Sequence, residues 1–142
     1  MAVALQLIVD NLCEKSGLQG EHGFSILLAG SDRRFLFDTG SSPETLSHNA
    51  GQLDISLEEI DAVILSHGHC DHAGGLTALT NSERTVPLYA HPAAFERRWV
   101  NHPGQPLREI SSPHTLQALR DEGVVFYPVR DPQKLTDWLV LS

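Results

Sequence analysis

Cysteine is scarce in this chain. Cys13 and Cys70 are the only two, far apart and in no Cys-x-x-Cys pair, so neither a disulfide framework nor a thioredoxin-type motif is available. Met1-Ala2-Val3-Ala4-Leu5-Gln6 lacks the basic start and long apolar core of a signal peptide. A reduced, cytoplasmic setting is therefore the expectation. No stretch approaches the roughly 20 consecutive apolar residues of a membrane span. Positive charge is also thin, with 10 Lys and Arg against 18 Asp and Glu and a net charge of −8 with histidines neutral. That balance argues against a nucleic-acid backbone or an anionic membrane as partner and suits attraction of dications. No Gly-rich phosphate loop and no Ser-His-Asp order is present. What remains, at 142 residues, 41% hydrophobic and 20% charged, fits one soluble domain.

Apolar runs alternate with capped helical stretches. Val3–Val9 and Phe24–Ala29 read as strands, and Gly30-Ser31-Asp32 turns the chain into a third over Arg33–Phe37. Ser42-Pro43 caps a helix that ends at Gly51, and Ser56-Leu57-Glu58-Glu59 reads as a capping box on a short helix. Val63–Ser66 is a buried strand, and His72–Leu79 is the helix after it. Val86–Ala90 is another strand, Pro92 to Val100 a helix, 101–106 a loop and Ser112 to Asp121 a last helix closed by Gly123. Val124–Tyr127 and Trp138–Leu141 are final strands. This alternation predicts α/β organisation.

Between the buried strand and its helix stands His67-Gly68-His69-Cys70-Asp71-His72. Three imidazoles and a carboxylate within six residues, where α/β folds place chemistry, point to a divalent-metal site rather than a surface histidine run. On an extended chain His67, His69 and Asp71 point one way, and a turn at Asp71-His72 re-aims His72 to the same cavity. Gly68, Gly74 and Gly75 allow the tight path. This is not the helical His-Glu-x-x-His arrangement. Mixed imidazole and carboxylate ligands suit zinc, with manganese or iron as alternatives. Cys70 reads either as an added thiolate ligand or as a small packed residue.

Ser66-His67-Gly68-His69-Cys70-Asp71-His72-Ala73-Gly74-Gly75 resembles the His-x-His-x-Asp-His signature of the metallo-β-lactamase superfamily. Phe35-Leu36-Phe37-Asp38-Thr39-Gly40 is similar to that family's strand ending in Asp-Thr-Gly. Asp10-Asn11 and Gly20-Glu21-His22-Gly23-Phe24-Ser25 resemble a subgroup related to a dihydropterin ribofuranosyl-aminobenzene-phosphate synthase. The resemblance implies a four-layer αββα sandwich, of which residues 1–142 supply the N-terminal half: a mixed β-sheet flanked by helices. It implies one or two metal ions, with His67 and His69 on one and Asp71 and His72 on the other. It also implies a later histidine for each and a bridging aspartate. Those later ligands are absent here, since His91, His102 and His114 do not stand in the family's setting for them. The chain is thus expected to be a truncated domain whose bare inner sheet face pairs with another copy or a complementing chain.

The implied activity is hydrolysis of an ester, amide, thioester or phosphoester in a small-molecule substrate by metal-bound hydroxide, with Asp71 also orienting the nucleophile. The alternative is a non-catalytic metal-binding or assembly subunit that needs a partner. By resemblance Asp38 orients a metal-bound histidine through a hydrogen bond; otherwise it caps the turn at Gly40. His91 and His22 are candidate substrate or metal contacts, each with a surface-histidine alternative. Asp10 and Asn11 read as a phosphate contact or an Asx turn. His48, His102 and His114 are expected to be solvated.

Overall fold

The structure is a computed structural model that describes residues 2–80 and 84–142. Its strands are β1 (Ala4–Val9), β2 (Ser25–Ala29), β3 (Arg34–Phe37), β4 (Ala62–Ile64), β5 (Val86–Ala90), β6 (Trp99–Val100), β7 (Arg108–Glu109), β8 (Val124–Pro128), β9 (Gln133–Lys134) and β10 (Val140–Leu141). Six of them form one mixed sheet in the order β1-β2-β3-β4-β5-β8. β1, β2 and β3 are antiparallel neighbours, whereas β3, β4, β5 and β8 run parallel. The helices are α1 (Pro43–Gln52), α2 (Cys70–Ala73) and α3 (Leu116–Asp121), with short 3-10 turns at Leu57–Glu59, Gly74–Ala78 and Pro92–Phe95.

Strand alternation sorts the side chains onto two faces. Leu27, Leu36, Val63 and Leu88 share a row and pack with Leu46 of α1, Leu76 of the 3-10 turn, Leu79 just after it and Leu119 of α3. This is the main core. On the opposite face, Phe35, Ala62 and Ile64 are covered by Leu135, Trp138, Leu139 and Leu141 of the β9–β10 hairpin. The hairpin reaches that far because Gly30, in the β2–β3 turn, has no Cβ to strike the Trp138 ring. At the two sheet edges the same face keeps Leu5, Leu7, Val125 and Tyr127 exposed.

Several local expectations are corrected. The capping box at Ser56 does not close, because no side-chain bond caps the Leu57–Glu59 turn. The helix expected from Pro92 to Val100 is a single 3-10 turn. Trp99-Val100 instead pairs with Arg108-Glu109, and the 101–106 loop connects them. Arg97 draws this hairpin together by binding Glu109 through two nitrogens while stacking on Trp99. The last helix begins at Leu116, since Thr115 Oγ1 rather than Ser112 accepts from the first turn, at Ala118 N. The final strand is confined to Val140–Leu141. His114 is not solvated: it is half-buried, with Nε2 3.1 Å from the Gly74 carbonyl.

Candidate metal centre

Regular pairing on β4 ends at Ile64, with one further bond from Leu65 N to Tyr89 O, and no continuous ladder carries a period of two through to Asp71. The expected extended path through Asp71 therefore does not occur. His69 has extended backbone angles and stands just before α2, which starts at Cys70, and Asp71 and His72 lie in its first turn. The conclusion that the motif converges survives this change of path. Ligand atoms of His67, His69 and Asp71 lie within 4.8 Å of one another. His72 lies alongside, its ring 4.2 Å from that of His67 and its Nε2 3.6 Å from Asp71 Oδ2.

Backbone contacts clamp this loop from both sides. Thr39 N donates to His72 O at 2.7 Å, Phe24 N to Asp71 O at 3.2 Å and Cys70 N to Ile110 O at 2.9 Å. A bridge joins His69 to Ser111. Gly68 lies so close to Ala94 that a Cβ there would sit 1.5 Å from the Ala94 carbonyl oxygen.

Asp38 is the hub beneath the imidazoles. It is fully buried and takes a positive φ of 57°, a conformation that aspartate tolerates better than most residues. Its Oδ1 accepts from Ser66 N at 2.8 Å. Its Oδ2 accepts from Ser66 Oγ at 2.7 Å and from His72 Nδ1 at 2.8 Å. A carboxylate can only accept, so the Ser66 hydroxyl proton and the His72 ring proton both point at it. Ser66 Oγ is then left to accept from His67 Nδ1, 2.8 Å away. Both rings are thereby held in the tautomer whose Nε2 is bare, the form a metal needs. Burial, with His72 and His69 beside it, also holds the His67 imidazole below its ordinary value of 6.5, against the opposing pull of Asp38 and Asp71.

The donor set thus fits a divalent cation: imidazole nitrogens and one carboxylate converge, with the Nδ1 protons of His67 and His72 directed to Ser66 and Asp38. Ser66 carried no sequence signal beyond being a polar residue at the end of an apolar strand.

His22 and His91 fall in different places. His22 Nε2 reaches Asp71 Oδ2 at 3.2 Å and lines a cavity of about 300 Å³ with Asp10, Asn11, Asp71 and His72. His91 is not part of the cluster. Its Nδ1 accepts from Ala93 N and caps the 3-10 turn, and the residue lines a larger cavity of about 680 Å³ with Phe37, Ser66 and Tyr89. Phe24 borders both cavities. The Cys70 thiol lies outside the converging group.

Comparison with known proteins agrees with this architecture. The sequence model of the metallo-beta-lactamase superfamily matches residues 18–138. A 7,8-dihydropterin-6-methyl-4-(beta-D-ribofuranosyl)-aminobenzene-5'-phosphate synthase from Methanocaldococcus jannaschii is 36% identical over 88 residues, which are 58% of this chain and 30% of that protein. An exodeoxyribonuclease, WalJ, from Streptococcus pneumoniae is 29% identical over 80 residues, 56% of this chain and 28% of that one. The chain thus spans about a third or less of the length of these two relatives. The metallo-beta-lactamase fold protein YhfI from Bacillus subtilis superimposes with a TM-score of 0.58 at 23% identity, covering 94% of this chain and 49% of that one. The divalent-metal chemistry of the donor set and the mixed α/β sheet therefore have one explanation: this chain belongs to the metallo-beta-lactamase superfamily.

Proposed function

We propose that this chain carries the metal-binding part of a hydrolase that cleaves an ester, amide, thioester or phosphoester bond in a small molecule. His67, His69, Asp71 and His72 would hold the cation, zinc in the first instance, with manganese or iron as alternatives. The observation that carries the reading is the convergence of His67, His69 and Asp71 within 4.8 Å above a buried aspartate that fixes two of the ring tautomers. When bound, such a cation lowers the pKa of a coordinated water and polarises a carbonyl or phosphoryl oxygen. The chain's own residues do the rest. Asp38 and Ser66 keep Nε2 of His72 and His67 free to hold the cation, and Asp71 would orient the attacking water through a hydrogen bond. The cavity beside Ser66 and His91, walled by Phe37 and Tyr89, has room for the apolar part of a small substrate.

Metal analysis after dialysis tests the reading. The parent protein should retain about one equivalent of a divalent metal and His69→Ala should lose it. Equal metal content in the two, or none in the parent, removes the reading.

A second reading, a metal-binding or assembly subunit that acts only with a partner, is favoured by the exposed Leu5, Leu7, Val125 and Tyr127 on the sheet face opposite the helices. The partner in this reading is a complementing chain that covers the exposed edges of that face beside the β9–β10 hairpin and brings the remaining ligands. A single monomeric species in sedimentation with an active, metal-loaded protein would reject it.

A further inference from the structure

His22 stands 49 residues before Asp71 in sequence, yet its ring meets that carboxylate, and the surrounding hydrogen bonds determine what it can do there. The determination starts at a backbone amide. Gly23 N can only donate, and the side-chain atom it meets at 3.1 Å is therefore the oxygen of Asn11. This fixes the orientation of the Asn11 amide and leaves its Nδ2 facing His22 Nδ1 at 3.3 Å. Nδ2 carries protons and no lone pair to offer, so His22 Nδ1 must accept. The ring proton is consequently on Nε2, the nitrogen that lies 3.2 Å from Asp71 Oδ2.

The loop that carries the ring is well anchored. Glu21 Oε1 accepts from Ser41 N at 2.8 Å and from Ser42 N at 3.2 Å, and Glu21 Oε2 accepts from Ser42 Oγ at 2.8 Å. Ser41 Oγ donates to the His22 carbonyl. On the other side, Gly23 packs so closely on the Asp71 backbone that a Cβ would come within 2.7 Å of its carbonyl oxygen.

We infer that His22 is a positioning residue rather than a metal ligand: a ring oriented by Asn11 that donates Nε2–H to Asp71 and fixes the direction of that carboxylate. The inference rests on the metal-site reading above for its consequence, though not for its geometry. A 3.2 Å separation between a nitrogen and an oxygen also suits two ligands of one cation, so distance alone does not separate the roles. The tautomer does, because a protonated Nε2 has no lone pair for a metal. Its side chain is 80% exposed, so water competes for the bond and the effect is on orientation and affinity rather than on folding.

Long-range proton–nitrogen NMR on the full chain reads the tautomer directly, and titration with cadmium reads the ligands. Expected are an Nε2–H tautomer at His22 with and without metal, and cadmium coupling to His67 and His69 but not to His22. His22→Ala should weaken zinc binding by about 10- to 100-fold, the usual effect of losing a partner that orients a ligand. His22→Gln, whose amide nitrogen can reach the same place, should restore most of it. An Nδ1–H tautomer, cadmium coupling at His22, or His22→Ala binding zinc as tightly as the parent overturns the inference. Should the parent bind neither zinc nor cadmium, the metal-site reading fails instead, and the tautomer in the metal-free protein still decides the geometry.

Discussion

Asp38→Asn is the sharpest perturbation of the candidate centre because it changes charge and donor pattern while changing almost nothing else. The position requires a left-handed backbone, which asparagine adopts at least as readily as aspartate, so backbone strain is not part of the effect. An asparagine has one oxygen where Asp38 uses two. If that oxygen faces Ser66 Oγ and His72 Nδ1, its NH₂ meets the Ser66 backbone N–H, donor against donor. If it faces the Ser66 N–H, its NH₂ points at His72 Nδ1, which must then move its proton to Nε2, the nitrogen on the side of Asp71. The first arrangement leaves the buried Ser66 N–H mispaired, at a cost of about 1–3 kcal/mol, and the second puts a proton on the nitrogen a metal needs. At a urea slope near 2 kcal/mol/M, a loss of about 2 kcal/mol moves the unfolding midpoint down by roughly 1 M. Zinc affinity should fall about 10- to 100-fold, because the ring orientation or the tautomer is lost. The assay is urea unfolding of metal-stripped protein beside chelator competition for zinc. Asp38→Ala serves as the harsher control, adding a left-handed strain of about 1–2 kcal/mol. A variant with the parental midpoint and the parental zinc affinity would refute the hub assigned to Asp38.

Two further outcomes follow from packing and from titration. Gly68→Ala drives a methyl into the Ala94 carbonyl and should cost about 1–3 kcal/mol or displace the 92–98 segment, whereas Gly51→Ala, with nothing within 4 Å in α1, should stabilise by about 0.5–1 kcal/mol; thermal unfolding of both variants checks the contrast, and a tolerated Gly68→Ala would show that the loop is not clamped there. Tyr89, pushed above its ordinary value of 10.0 first by burial and then by Tyr127 stacked on it, keeps its proton folded where the unfolded chain has lost it, so stability should fall as pH rises beyond 10. In Tyr127→Phe, Tyr89 is the sole tyrosine and alkaline absorbance reads it alone; a midpoint at or below 10 would contradict the burial argument.

The positions of β1 to β5 along the chain and the start of α1 were legible because their signals are local. Val63 and its neighbours form an uninterrupted apolar run, and Ser42-Pro43 gives a helix start whose cap bond, Thr45 N to Ser42 Oγ at 3.2 Å, is present. The identity of the clustered residues was legible for the same reason, since ligand types and spacing are printed in the chain itself. Their path was not. Alternation placed Asp71 on an extended segment, whereas α2 begins at Cys70 because regular pairing has already ended at Ile64. The segment 96–113 was illegible for a different reason. Its β6–β7 pairing and the Arg97–Glu109 pair join residues on the two sides of the 101–106 loop, beyond the reach of a pattern within 92–100, and the His69–Ser111 bridge joins it to the metal motif. No periodicity within 92–100 carries that information.

Neither the ligands nor their spacing, then, explains the convergence. A free chain with the sequence of residues 66–75 has three glycines and no ladder to hold it. In the folded protein each ligand-bearing stretch is fixed by a different part of the sequence: Asp71 by Phe24, His72 by Thr39 and Asp38, His69 and Cys70 by 110–111, and Gly68 by Ala94. These supports come from strand ends and loops that exist only once the β2–β3–β4–β5 sheet is assembled. Affinity for a cation is accordingly a property of that assembled sheet rather than of a six-residue string, and binding free energy at the motif is coupled to folding of the elements that clamp it.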